Sequence, residues 1–183
     1  METIVVFGVL ALIVIFFIAQ YNRLIRLNSS VNVAWAQIEV QLKRRADLIP
    51  NLVESVKGYA KHEQSTFDAV VTARAKATSA SSVADVAAAD GMLTQALRGL
   101  LAVAEAYPDL KASANFLALQ EELSTTENKV AFSRQFYNDN VRSLNTAVKT
   151  VPTNFFAGFA KVIEREFYEL EDPQDRNAPK VTF

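Results

Sequence analysis

From Ile4 to Ala19 the chain reads IVVFGVLALIVIFFIA, sixteen residues without one charged side chain. Nothing else in it limits the fold as strongly. With the tolerant flanks Thr3, Gln20 and Tyr21, the run reaches the roughly 17–25 residues that cross a bilayer as a helix. A cleaved signal would begin basic and end on a small-residue cleavage site. Here Glu2 precedes the run and Gln20-Tyr21-Asn22-Arg23 follows it. The run therefore predicts an uncleaved anchor over residues 1–21, with residues 4–19 in the lipid bilayer and Tyr21 at headgroup level. Arg23 and Arg26 lie just after the span, and Lys43, Arg44 and Arg45 further on, while no Lys or Arg precedes it. That bias predicts a single-pass protein of the cell (inner) membrane, N-terminus outside and C-terminal domain cytoplasmic.

Beyond the anchor the pattern is helical. Only five Gly and five Pro occur in 183 residues, half of which are apolar, a balance that favours helix over sheet. Trp35, Ile38 and Leu42 are followed in phase by Ile49, Leu52, Val53, Val56, Tyr59, Phe67 and Val70. The stripe passes Pro50 in phase, which predicts one long helix bent there. The alternative is a helix that ends at Lys43-Arg44-Arg45, with Asp47 capping a new one and Pro50 in its first turn. The small polar loop Thr78-Ser79-Ala80-Ser81-Ser82 is the clearest break. Ser82 with Asp85 resembles a capping box that opens a helix towards Tyr107. Pro108-Asp109 marks a corner, and a helix follows from about Lys111 to Lys149. Val151-Pro152-Thr153-Asn154 ends it. A last amphipathic helix is expected with Phe155, Phe156, Phe159, Val162, Ile163 and Phe167 on its inner face. Short connections between long amphipathic helices predict an antiparallel up-and-down four-helix bundle over residues 22–170, with a poorly ordered tail over 171–183.

The chemistry these residues could carry is limited. A net charge of −1 gives no field to hold a polyanion, so nucleic acid is not an expected partner. With no cysteine and the single histidine His62, thiolate zinc sites and the Glu-x-x-His pairs of di-iron bundles are not available. No metal, cofactor or catalytic residue is expected. Glu54, Glu105 and Glu127 read as solvated or capping carboxylates. The basic cluster Lys43, Arg44 and Arg45 is the candidate interaction patch. On a continuous helix it stands roughly 33 Å beyond Tyr21, outside the ~10 Å Debye length within which anionic lipid attracts it. An acidic protein face is its expected partner, with the protein itself unidentified, and a homo-oligomer is compatible with the same reading.

Four strings carry a resemblance: YNRLIRLNSSVNVAWAQIEVQLKRRADLIPNLVESVKGYAKHE, LLAVAEAYPDLKASANF, ELSTTENKVAFSRQFYNDNV and VPTNF. Together they closely resemble the LemA family over nearly the whole chain. The resemblance implies an N-terminal transmembrane helix with a short outside terminus and a cytoplasmic antiparallel four-helix bundle. It implies no established activity, substrate or cofactor. The chain departs from the family pattern at Ala46, where many relatives have histidine, at Glu39, usually aspartate, and at Leu144, often tyrosine. The shared motifs fall mainly at corners, which points to bends and caps before binding. The expectation is a membrane-tethered interaction or scaffolding protein, with an enzyme or ligand carrier using a groove in the bundle as the alternative.

Overall fold

The computed structural model describes residues 1–169, so the expected tail over 171–183 lies outside the described residues. The described residues form an all-helical fold with no strand among them. Among the described residues six helices follow in order: α1 Glu2–Lys57, α2 Gln64–Ser79, α3 Val83–Glu105, α4 Pro108–Lys111, α5 Ala114–Lys149 and α6 Asn154–Ala160.

Helix α1 runs unbroken through Pro50, as the phase of its apolar stripe predicts. Proline has no N–H for the carbonyl four residues back, here that of Ala46. Nε of Arg74, on α2, donates to that oxygen at 2.8 Å. A side chain thus supplies the hydrogen bond that the proline cannot. The stripe does not continue as one helix to Val70, however. The chain breaks over residues 58–63, where the amides of Tyr59 and Ala60 both turn back to the carbonyl of Val56, at 3.0 and 2.9 Å. Gly58 is a weak helix former, and the phase survives because α1 and α2 bury their stripes in the same core.

Two compact units divide the chain, and α1 and α5 each contribute a segment to both. One unit takes Glu39–Phe132 together with Tyr168. Its core joins Ile49, Leu52 and Val56 of α1, Phe67 and Val70 of α2, Leu93, Leu97 and Leu100 of α3, Leu110 of α4, and Phe116 and Leu123 of α5. Each such side chain contributes about 1.5–3 kcal/mol through the area it removes from water. Ala73, Ala77 and Ala96 let α2 and α3 approach closely. The cap of α3 forms as the sequence predicts. Oγ of Ser82 accepts from the Asp85 amide at 3.0 Å, while its hydroxyl donates to the Asp85 carboxylate at 2.6 Å. Pro108 opens α4 in its first turn, where its missing N–H costs nothing.

The other unit takes Met1–Ile38 and Ser133–Phe167. Leu24, Val31, Ala34 and Ile38 of α1 are buried, as are Tyr137, Val141, Leu144 and Ala147 of α5. The expected last helix is much shorter than its periodicity suggests. Helix α6 stops at Ala160, and Lys161 caps it in the left-handed region at φ 51°, ψ 36°. From residue 162 to 169 the chain is not helical. Side-chain bonds from α5 hold this stretch instead. The Asn145 amide donates to the Arg165 carbonyl and its oxygen accepts from the Arg165 amide, both at 2.9 Å. The Tyr137 hydroxyl donates to the Glu166 carbonyl at 2.9 Å. Of the residues expected on the inner face, Phe156 and Val162 are buried, whereas Phe155, Phe159, Ile163 and Phe167 are exposed.

Candidate functional site

Successive residues of an α-helix point about 100° apart, so Lys43, Arg44 and Arg45 cannot share a direction. Lys43 faces solvent. Arg44 is half exposed and pairs with Glu122 of α5 at 2.8 Å. Arg45 turns inward and is only 2% exposed. It is therefore not part of a solvent-facing basic patch.

The Arg45 guanidinium anchors a buried polar cluster. Its Nη1 donates to Oδ1 of Asp90, on α3, at 2.7 Å. Its Nη2 donates to Oγ1 of Thr94 at 3.0 Å and stands 3.9 Å from Oε1 of Glu127. The Thr94 hydroxyl spends its own proton on the Asp90 carbonyl at 2.9 Å, which leaves its lone pair for the guanidinium. Oδ2 of Asp90 accepts from the hydroxyl of buried Tyr168 at 3.1 Å. Nε of Arg45 and Oε1 of Gln41, four residues apart on α1, are buried without a hydrogen-bond partner. Taking two charges out of water costs several kcal/mol per ion, and attraction repays that only when hydrogen bonds complete the pair. Asp90 receives such bonds on both oxygens. The arrangement fixes which face of α1 meets α3, because any slip would strand a buried charge.

An open cleft of about 380 Å³ adjoins Asp90. Glu39, Lys43 and Asp47 line it at intervals of four along α1, opposite small and aliphatic side chains such as Ala77, Val86 and Leu93. No group of three or more His, Asp or Glu side chains among the described residues is placed to hold a metal ion. His62 is exposed in the turn between α1 and α2. Glu54 pairs with Lys57 at 3.5 Å on the surface, Glu105 is exposed at the end of α3, and Glu127 is half exposed beside Arg45.

In the other unit Tyr137 packs against Trp35 with ring centroids 5.4 Å apart. Burial pushes its phenol above the ordinary value of 10.0, opposed by the Arg165 charge and assisted by Glu166. Arg165 itself reaches Asn28 and Asn32 of α1 at 3.2 and 3.0 Å.

Asp90, Thr94 and Tyr168 are members that sequence reasoning misses. The one trace of them is a lone carboxylate in the run Ala87-Ala88-Ala89-Asp90. Its neighbours on that face of α3 are Val86, Ala87, Leu93 and Thr94, none of them charged.

The LemA family model matches residues 34–183. Protein LemA of Metamycoplasma hominis is 28% identical over 144 residues, covering 77% of this chain and 65% of the relative. Magnetosome protein MamQ 2 of Paramagnetospirillum magneticum is 23% identical over 180 residues, covering 84% of this chain and 66% of the relative. Magnetosome protein MamQ of Magnetospirillum gryphiswaldense is 22% identical over 172 residues, covering 78% and 63%. The chain thus spans a little under two thirds of the length of the curated relatives it matches.

Proposed function

The chain belongs to the LemA family, and from that premise we propose that it is a membrane-tethered helical interaction or scaffolding protein rather than an enzyme. The observation that carries the reading is α1. One helix begins with an apolar stretch of which nothing is buried and continues, without a break, into the buried stripe from Leu24 to Val56. The first part suits lipid and the second suits a protein core. In this reading residues 1–21 cross the cell (inner) membrane with the N-terminus outside. Residues 22–170 form a cytoplasmic antiparallel four-helix bundle, and Arg23 and Arg26 hold that orientation.

The buried cluster supports the same reading, since the charges of Arg45 and Asp90 neutralise each other at 2.7 Å. None of the three relatives described carries an enzyme's name. Lys43 and Arg44 remain the exposed cations for an acidic partner face. Reporter fusions after Phe183 should be active only in the cytoplasmic format, and activity only in the exported format would reject the topology. Lys43→Glu with Arg44→Glu should weaken partner co-purification from native membranes and raise its salt sensitivity, with helicity unchanged.

A second reading, a carrier of a small polar ligand, draws on the cleft lined by Glu39, Lys43 and Asp47. Lys43→Met with Asp47→Ala should then abolish a ligand-induced rise in melting temperature while leaving co-purification intact.

A further inference from the structure

Helix α6 presents an apolar face that its own unit does not cover. Phe155 and Phe159 stand four apart on α6 and are 68% and 84% exposed, and Val151, in the turn before the helix, is 72% exposed. From Thr150 to Ala160 no side chain is charged, while Lys149 and Lys161 flank the stretch. A segment of this kind in water would expose its largest side chains for no return.

Its position along α1 identifies what covers it. The ring of Phe156 meets Phe17 edge to face at 4.9 Å between centroids, and Phe16 at 6.3 Å. Both partners lie within the uncharged run that ends at Ala19. One turn on, the Thr153 hydroxyl lies 3.4 Å from Oε1 of Gln20, where that run becomes polar. Phe17, Ile18, Tyr21, Phe156 and Phe159 together line an almost wholly apolar cleft of about 330 Å³. The exposed face of α6 is therefore continuous with the lipid-facing surface of the span, at its C-terminal end.

We propose that α6 and the turn before it form an interfacial element, lying with Val151, Phe155 and Phe159 in the boundary between headgroups and hydrocarbon of the bilayer that α1 crosses. Short apolar faces bury about 5–10 Å into that boundary, a depth compatible with a ring that touches Phe17, two residues inside the run. Exposed Lys161, in its left-handed cap, ends the helix at the level where anionic lipid phosphates attract cations. The inference rests on the anchor reading of α1, and adds to it a second contact with lipid 130 residues further along the chain.

The chain has no cysteine, so single nitroxide labels can be placed without background. Full-length protein in phosphatidylcholine–phosphatidylglycerol vesicles would carry Phe16→Cys, Phe159→Cys or Ser124→Cys, the last on an exposed site of α5. Collisions with oxygen, which concentrates in lipid, are compared with those of a water-soluble nickel chelate. Oxygen should dominate at positions 16 and 159 and the chelate at 124, so that the collision ratio reverses between 159 and 124. Chelate dominance at 159 with oxygen dominance at 16 overturns the inference and leaves the anchor standing. Chelate dominance at both overturns the anchor and the inference together. Suppression of both collisions at 159 means that protein covers the face, which also overturns it.

Discussion

The carbonyl of Ala46, which Pro50 leaves without an amide, takes its hydrogen bond from Nε of Arg74 at 2.8 Å. A buried backbone acceptor without a partner is costly, so the proline and the arginine belong to one device. Arg74→Met should lower stability by about 1 kcal/mol, with the orphaned carbonyl as the cause. In a Pro50→Ala background the alanine amide supplies the bond, and the same Arg74 change should cost less. Thermal melts of the four proteins give the coupling, and equal costs in both backgrounds would refute it. Asp47→Ala should be near neutral, because Asp47 lies exposed inside a continuous helix and caps nothing.

Asp90→Ala should destabilise by about 3–5 kcal/mol, since it strands the Arg45 guanidinium in a site from which water is excluded. Arg45→Met with Asp90→Leu should recover most of that loss. Denaturant melts check both, together with Tyr168→Phe, which should cost about 1 kcal/mol.

Much of the architecture is legible in the residues, and what is not has identifiable causes. The cap at Ser82 and the corner at Pro108-Asp109 follow from rules about neighbouring residues, and the passage of α1 through Pro50 follows from the phase of its apolar stripe, whereas the short helix α4 at that corner is not expected from the sequence. The break after Lys57 does not, since both flanking helices bury their stripes in one core and the phase carries across. The early end of α6 is hidden for a different reason. Phe155, Phe159 and Ile163 have helical spacing, but hydrogen bonds from Asn145 and Tyr137 on α5 hold the chain after Lys161. The burial of Arg45 is invisible because Asp90, its partner, lies 45 residues away. Three adjacent cations look like a surface until the helix separates their directions.

Asn145→Ala removes two hydrogen bonds to the backbone of Arg165 and should cost about 2 kcal/mol. Hydrogen exchange offers the sharper readout. The Arg165 amide should lose protection in the variant while the amides of Leu24 to Ile38 keep theirs. Equal loss in both places would mean global unfolding rather than release of the segment.

Tyr137 supplies a pH dependence whose sign is fixed. Its folded pKa lies above 10.0 because burial penalises the phenolate. Below pH 10.0 the phenol is neutral in both states and its stabilisation is complete. As pH rises past that value the unfolded chain gives up its proton first, so stability falls until the folded phenol ionises too. Tyr137→Phe should lose about 1 kcal/mol at neutral pH through the bond to the Glu166 carbonyl. Its stability should then decline less steeply than the parent's in alkaline melts, and parallel curves would contradict this.

Helix α1 has no joint between Glu2 and Lys57, and that has a mechanical consequence. A flexible linker would let whatever follows the apolar run swivel freely, whereas a continuous helix behaves as a shaft. One residue inserted after Tyr21 would turn the face bearing Leu24, Val31 and Ile38 by about 100° relative to Phe16 and Phe17, and advance it by about 1.5 Å. On the anchor reading proposed above, tilting is one way a span adapts to lipid of a different thickness, and a continuous helix would carry any such tilt to Leu24.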